Sequence, residues 1–307
     1  MPIWSEILEE LNNSEGGINN NLDNVRRKYL FNLQDKTERN VILYASAWLQ
    51  RPDANSNAVM INDEDIQALM EVTYQLKGTE LDLILHSPGG SPEAAEAIVS
   101  YLRSKFRNIR VIVPQIAMSA ATMIACSANT VMLGKHSCLG PIDPQIVIPT
   151  GLGIRTVAAQ HVLNQFDLAK EQCEKPENLL AWAPILSQYG PDLLIRCETV
   201  IKLAQELSKT WLETYMFDGD QDSQSKAENI SKWLADHDNF KSHSRHIFRV
   251  EAEEKGINIE SLENDQELQD LVLSVFHATT HAFTNSTVIK IVENHEGRAY
   301  MKMQPTL

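Results

Sequence analysis

The sequence predicts an α/β protein built on a parallel sheet with crossover helices, extended by a helical annex and a C-terminal hairpin. Two apolar runs of strand length, 81–85 and 111–117, each end in small residues that open a helical pattern. These are Ser87-Pro88-Gly89-Gly90 after the first and Ser119-Ala120-Ala121-Thr122 after the second. Strand, helix, strand, helix in this rhythm requires parallel strands joined by right-handed crossovers. From residue 155 to about 216 the apolar spacing turns helical instead.

Residues 1–30 combine a short amphipathic pattern (Trp4, Ile7, Leu8, Leu11), a polar stretch at 12–21 and a basic, helix-like piece ending at Tyr29, an arm expected to dock on a neighbouring subunit. Residues 39–46 read as the first sheet strand, and 50–57 as a polar loop. Asn62-Asp63-Glu64-Asp65 starts a helix whose acidic residues match its positive end, with Ile66, Leu69, Met70 and Leu76 on one face. A second crossover helix follows Ser91-Pro92-Glu93 and runs to about Phe106, burying Ala94, Ala97, Ile98, Tyr101 and Leu102. Ser119 opens a short apolar helix, 130–133 returns as a strand, and the next turn reaches Asp143, 24 residues after Ser119.

The annex begins with a short helix at 156–166 and a long one at 191–217, and a further helix passes through Trp233. An amphipathic helix at about 265–283 precedes two strand-like runs, 287–292 and 298–303, around Asn294-His295-Glu296-Gly297. The chain thus divides into an arm at 1–38, a main domain at 39–260 that includes the annex at about 155–240, and a C-terminal helix and hairpin at 261–307.

In a parallel sheet the strand-to-helix turns cluster at the carboxyl ends of the strands, where helix N-termini aim unpaired N–H groups at a ligand. Ser119 in the first turn of its helix, the N–H of Ala120 beside it, and Gly89 and Gly90 without Cβ atoms on the facing turn offer a nucleophile and oxyanion donors. Taken singly, Ser119 reads first as a helix N-cap, and Ser-Pro-Gly-Gly as a plain turn.

Three blocks in order, His86-Ser87-Pro88-Gly89-Gly90, Ala117-Met118-Ser119-Ala120 and Leu139-Gly140-Pro141-Ile142-Asp143-Pro144-Gln145, resemble the serine dehydrogenase proteinases, relatives of the ClpP and signal-peptide-peptidase-A proteases in the ClpP/crotonase superfamily. The resemblance weakens outside these blocks and covers the last fifty or so residues poorly. It implies a ClpP/crotonase-like serine protease domain with Ser119 as nucleophile, the Gly89 and Ala120 N–H groups as oxyanion hole with Gly90 beside them, and triad members in the order Ser, Asp, His. It also implies that the annex caps the site and builds homo-oligomers. Ala121 departs from the family's glycine two residues after the serine, and a methyl there is expected to narrow the substrate groove.

Nine histidines compete for the base. Ala252-to-Gly256-Ile257 resembles the superfamily's closing element, and His243, thirteen residues before Gly256, lies near the register of the third triad member in ClpP proteases. His246 ranks next, then His86 and His136, ahead of His161, His237, His277, His281 and His295. Asp143 would orient the imidazole, or else serve only as an Asp-Pro turn residue. A Ser-Lys dyad using Lys170 or Lys202, as in signal-peptide-peptidase-A relatives, stays open. So do a non-catalytic peptide-binding or assembly protein and a crotonase-type acyl-CoA enzyme.

A net charge of −14 disfavours nucleic acid and anionic lipid as partners. No apolar run is long enough to span a bilayer, and the N-terminus lacks the pattern of a secretory signal, so the expectation is a cytoplasmic protein. Cys126, Cys138, Cys173 and Cys197 lack C-x-x-C spacing and are expected to be reduced. Neither a metal nor a nucleotide motif is present, Gly151-Leu152-Gly153 being too short to count, and no cofactor is expected. The expected partner is a peptide or unfolded protein substrate.

Overall fold

The strands Asn40–Ser46, Glu80–His86, Asn108–Val113, Thr130–Leu133 and Ile259–Ser261 run parallel as neighbours in one sheet, with Ile259–Ser261 at its edge. The structure is a computed structural model describing residues 3–13, 18–150 and 153–305. Part of the polar 12–21 stretch, and Gly151 and Leu152 of the short glycine signal, lie outside the described residues.

Strands covered on both faces must be apolar almost throughout, and these are. Val41, Leu43, Ile84, Ile112 and Met132 face one core, and Ile42, Leu83, Leu85, Val111 and Val113 face the other. The second face carries the crossover helices Asp65–Thr73 and Pro92–Lys105. Ser91 caps the latter by accepting from the Ala94 N–H at 3.1 Å, with Pro92 in the first turn, where no intrahelical donor is lost.

The opposite face is covered by Ile18–Thr37 packed on Gln266–Asn285. The N-terminal arm, expected against a neighbouring subunit, therefore lies on the chain's own sheet, burying Leu22, Val25, Leu30 and Leu33. The C-terminal hairpin is present as Val288–Asn294 and Ala299–Met303, and its first strand pairs antiparallel with Asn40–Ser46. Strands from 40–46 and 288–303 thus stand in one sheet with the core of the main domain.

The hairpin also braces the loop before the Asp65 helix. The buried Lys290 ammonium donates to the Met60 carbonyl and to the Asp65 carboxylate, both at 2.8 Å. Tyr44 Oη donates to the same carboxylate at 2.7 Å. Burial pushes the Lys290 ammonium below the usual lysine range, and the Asp65 charge opposes that shift. Lys290→Ala leaves the Asp65 carboxylate buried without its cation, so denaturant unfolding is expected to show a loss of about 3–5 kcal/mol.

The annex departs from an all-helical reading. Gln145–Thr150 and Gly153–Ala158 form an antiparallel β-hairpin, and the helix expected from 156 begins at Ala159 and runs to Gln172. The long helix is Leu193–Trp211, which passes into a π-helical turn at Leu212–Met216. Ser223–Ala235 packs against it.

Candidate active site

Ser119 sits where the chain reverses from Ile116–Ala117 into the helix Ala120–Cys126. Its backbone has φ 53° and ψ −121°, outside the conformations that side-chain-bearing residues favour, and its hydroxyl makes no capping bond to the helix. A serine present only as an N-cap would adopt extended backbone and accept from the first-turn amides. A strained strand-to-helix turn that exposes Oγ is instead the geometry of a nucleophile elbow, and such strain costs about 1–3 kcal/mol. All of Ala120–Cys126 is buried while Ser119 is partly exposed, so the hydroxyl lies at the surface of an otherwise apolar core.

The glycine turn presses against this elbow. A Cβ on Gly89, whose φ is 92°, would come within 2.5 Å of the Met118 carbonyl oxygen and 2.7 Å of the Ser119 Cβ. One on Gly90 would meet the Ile61 oxygen at 2.2 Å, because Ile61 pairs in parallel with Gly90. Ile61 donates to the Gly89 carbonyl at 2.8 Å and accepts from the Ser91 N–H at 3.0 Å. The Gly89 N–H is already donated to Ser87 Oγ at 3.2 Å, which removes it as an oxyanion donor. Among the described residues the N–H groups of Gly90 and Ala120 have no acceptor, so these form the available pair.

The Asp143 loop is fastened to the elbow through Thr122, which donates to the Ala117 carbonyl at 2.9 Å and accepts from the Gly140 N–H at 3.0 Å. Ile142 then donates to the Leu234 carbonyl at 2.9 Å, tying the loop to the end of the Ser223–Ala235 helix. From that end come the histidines. Asp143 Oδ1 lies 2.8 Å from His243 Nδ1, and Asp143 Oδ2 lies 2.6 Å from His237 Nδ1. His237 Nε2 is in turn 2.8 Å from His161 Nε2. Asp143 is 2% and His237 4% exposed, while His243 retains 26%. A carboxylate accepting from the Nδ1–H of His243 leaves its Nε2 as a bare acceptor, the tautomer a general base requires.

Ser119, Gly90 and His243 share one cleft of about 510 Å³, walled by Ile61, Met123 and Leu203. No hydrogen bond joins Ser119 to His243 among the described residues. His237 and His161, ranked low in the sequence, were missed as partners of Asp143. The only local signal was Asp236, whose side chain accepts from the Asn239 N–H at 3.0 Å and starts the turn that carries His237.

Other candidates lie elsewhere. His246 and His136 are exposed and do not reach Asp143. Lys170 and Lys202 are 61% and 68% exposed, in surface pairs with Asp167 and Glu198. Ala121 is fully buried in the core and does not line the cleft, so its methyl does not narrow the groove. His86 points to the opposite face of the sheet, its ring centroid 5.0 Å from that of Phe276.

Burial pushes the His86 imidazole down to about 4. Its folded-state value thus lies below the unfolded one, and the unfolded chain binds the extra proton between pH 6.5 and 4. Stability present above that window is lost as pH falls through it, by about 3 kcal/mol from His86 alone. Burial lowers His281 and His295 in the same direction. Denaturant titrations at pH 7 and pH 4.5 should show this loss, and His86→Leu should reduce it.

Among the described residues no group of three or more His, Cys, Asp or Glu side chains is placed to hold a metal ion, and no helix is long and apolar enough to cross a membrane. Two uncharacterized proteins of Methanocaldococcus jannaschii, MJ0137 and MJ1495, are similar to this chain at 38% and 41% identity over 88 residues. The match covers 29% of this chain and 30% of each relative. Residues 57–167, which carry the glycine turn, the Ser119 elbow and Asp143, match the model of the ClpP-like SDH-type serine proteinases, and over this segment the chain is similar to that family.

Proposed function

We propose that the chain is a serine endopeptidase that cleaves peptide bonds through an acyl-enzyme on Ser119, with His243 as general base and acid and Asp143 as its orienting carboxylate. The observation that carries this reading is the shared cleft, lined by an uncapped, strained serine, by Gly90 with its free N–H and by a histidine held by a buried carboxylate, with the free Ala120 N–H next in the chain to the serine. His243 Nε2 takes the Ser119 Oγ proton as Oγ bonds to the scissile carbonyl carbon. The resulting oxyanion accepts from the Gly90 and Ala120 N–H groups. As the tetrahedral centre collapses, the C–N bond breaks and His243 returns the proton to the leaving amine. Water then repeats the cycle to release the acid.

An extended peptide suits a cleft bordered by the Gly90–Ser91 backbone and residues Gln145 and Val147 of the annex hairpin. Hydrolysis of a fluorogenic peptide library tests the assignment of the base. His243→Ala should abolish turnover while Lys170→Ala and Lys202→Ala retain it, and the reverse pattern would move the assignment to a dyad.

The reading extends to a homo-oligomer assembled through the annex. Helix Leu179–Leu186 buries none of its side chains in the protomer, and Leu180, Ile154 and Ile195 are 86%, 76% and 69% exposed. Light scattering should give a mass above that of the protomer at micromolar concentration, and a monomer mass there would refute the assembly. Four unpaired cysteines suit a reducing compartment such as the cytoplasm.

A further inference from the structure

A second cavity, of about 560 Å³, adjoins the cleft, and Gln145 and Thr156 line both. Its walls hold Arg155, Lys241, His161 and His237, and among the described residues no Asp or Glu lines it. In a chain of net charge −14, that is a concentration of positive and proton-donating groups against the general balance. Neither Arg155 nor Lys241 forms an ion pair among the described residues, and both are exposed residues on the cavity lining. His237 is the buried anchor: its Nδ1–H donates to Asp143, so its Nε2 accepts from His161 Nε2–H. The remaining wall is apolar and includes Ile148, Val162 and Leu193.

Exposed cations and aliphatic side chains on one lining fit a ligand with an anionic head on an apolar body, in a cavity of the size that small-molecule sites occupy. We propose that this cavity binds a small organic anion, a carboxylate or phosphate on an apolar body, held by Arg155 and Lys241. His161, on the wall of this cavity, is two hydrogen bonds from Asp143 through His237. The proposal does not depend on the peptidase reading.

Calorimetric titration of the full chain carrying Ser119→Ala tests it without turnover. The probes are N-acetyl-leucyl-leucine, its C-terminal amide, and hexyl phosphate. Saturable binding of the acid or of hexyl phosphate is expected, with none for the amide, and with affinity reduced about tenfold or more by Arg155→Gln combined with Lys241→Gln. Binding of the peptide acid alone identifies a peptide C-terminus as the ligand source, and binding of hexyl phosphate alone identifies a free phosphorylated compound. No binding of either at millimolar concentration, equal binding of the amide, or affinity untouched by the paired substitution would overturn the proposal. Because the assay reads binding only, its failure leaves the peptidase assignment standing, and absence of hydrolysis leaves this one standing.

Discussion

Ser119→Ala is expected to lower kcat for peptide hydrolysis by about a millionfold, the loss seen when the nucleophile of a triad that acts as a unit is removed. The fold should survive, because the hydroxyl makes no capping bond and its loss breaks none. A second substitution separates chemistry from architecture. Ser119 holds φ 53° at the expense of backbone strain, and glycine occupies that region freely. Ser119→Gly should therefore be equally inactive yet melt at or above the wild-type temperature. An inactive variant that gains stability marks the serine as retained for reaction rather than for the turn. A substantial drop in melting temperature for Ser119→Gly would mean that the side chain supports the elbow.

Asp143→Asn should cost about ten-thousandfold in kcat/KM, the size of effect produced when an imidazole is held in the wrong tautomer. The carboxylate has two acceptor oxygens, one for the Nδ1–H of His243 and one for that of His237. A carboxamide offers one acceptor and one donor group, so it satisfies one histidine only by forcing the other to present a bare Nδ1. If that histidine is His243, its Nε2 carries the proton and cannot accept one from Ser119. The amide can instead face its oxygen to His243, which places the misfit on His237, and this orientation sets the residual rate. His237→Gln should then lower the rate far less than Asp143→Asn, because His237 touches the carboxylate and not the cleft around Ser119. Equal losses in the two variants would show that His237 is needed to keep Asp143 in place.

Which parts of this were legible in the sequence follows from how local the signal is. The elbow and the glycine turn are each written within a few consecutive residues, and so are the strands that feed them, because a doubly covered strand must be apolar without interruption. Asp143 and His243 are a hundred residues apart, and only family register pointed from one to the other. His237 and His161 had no such register, and their meeting depends on how the annex folds over the Asp143 loop. The hairpin at Gln145–Ala158 was hidden by Pro149, which counts against a strand interior, although Ile146 and Ile148 alternate with more exposed neighbours on an edge where proline is tolerated. The choice between Gly89 and Gly90 as oxyanion donor could not be made from two adjacent glycines. It turns on Ser87 Oγ, which claims one N–H and leaves the other. Ala121 looked like a groove residue because it is next but one to Ser119, yet the helix turns it into the core.

The central claim, that Ser119 is an activated nucleophile served by His243, is tested most directly by fluorophosphonate labelling with intact-mass analysis and peptide mapping. A single phosphonyl adduct on Ser119 is expected in the wild type, absent in Ser119→Ala and strongly slowed in His243→Ala. An adduct mapped to another residue, or labelling of Ser119→Ala as complete as that of the wild type, would contradict the account.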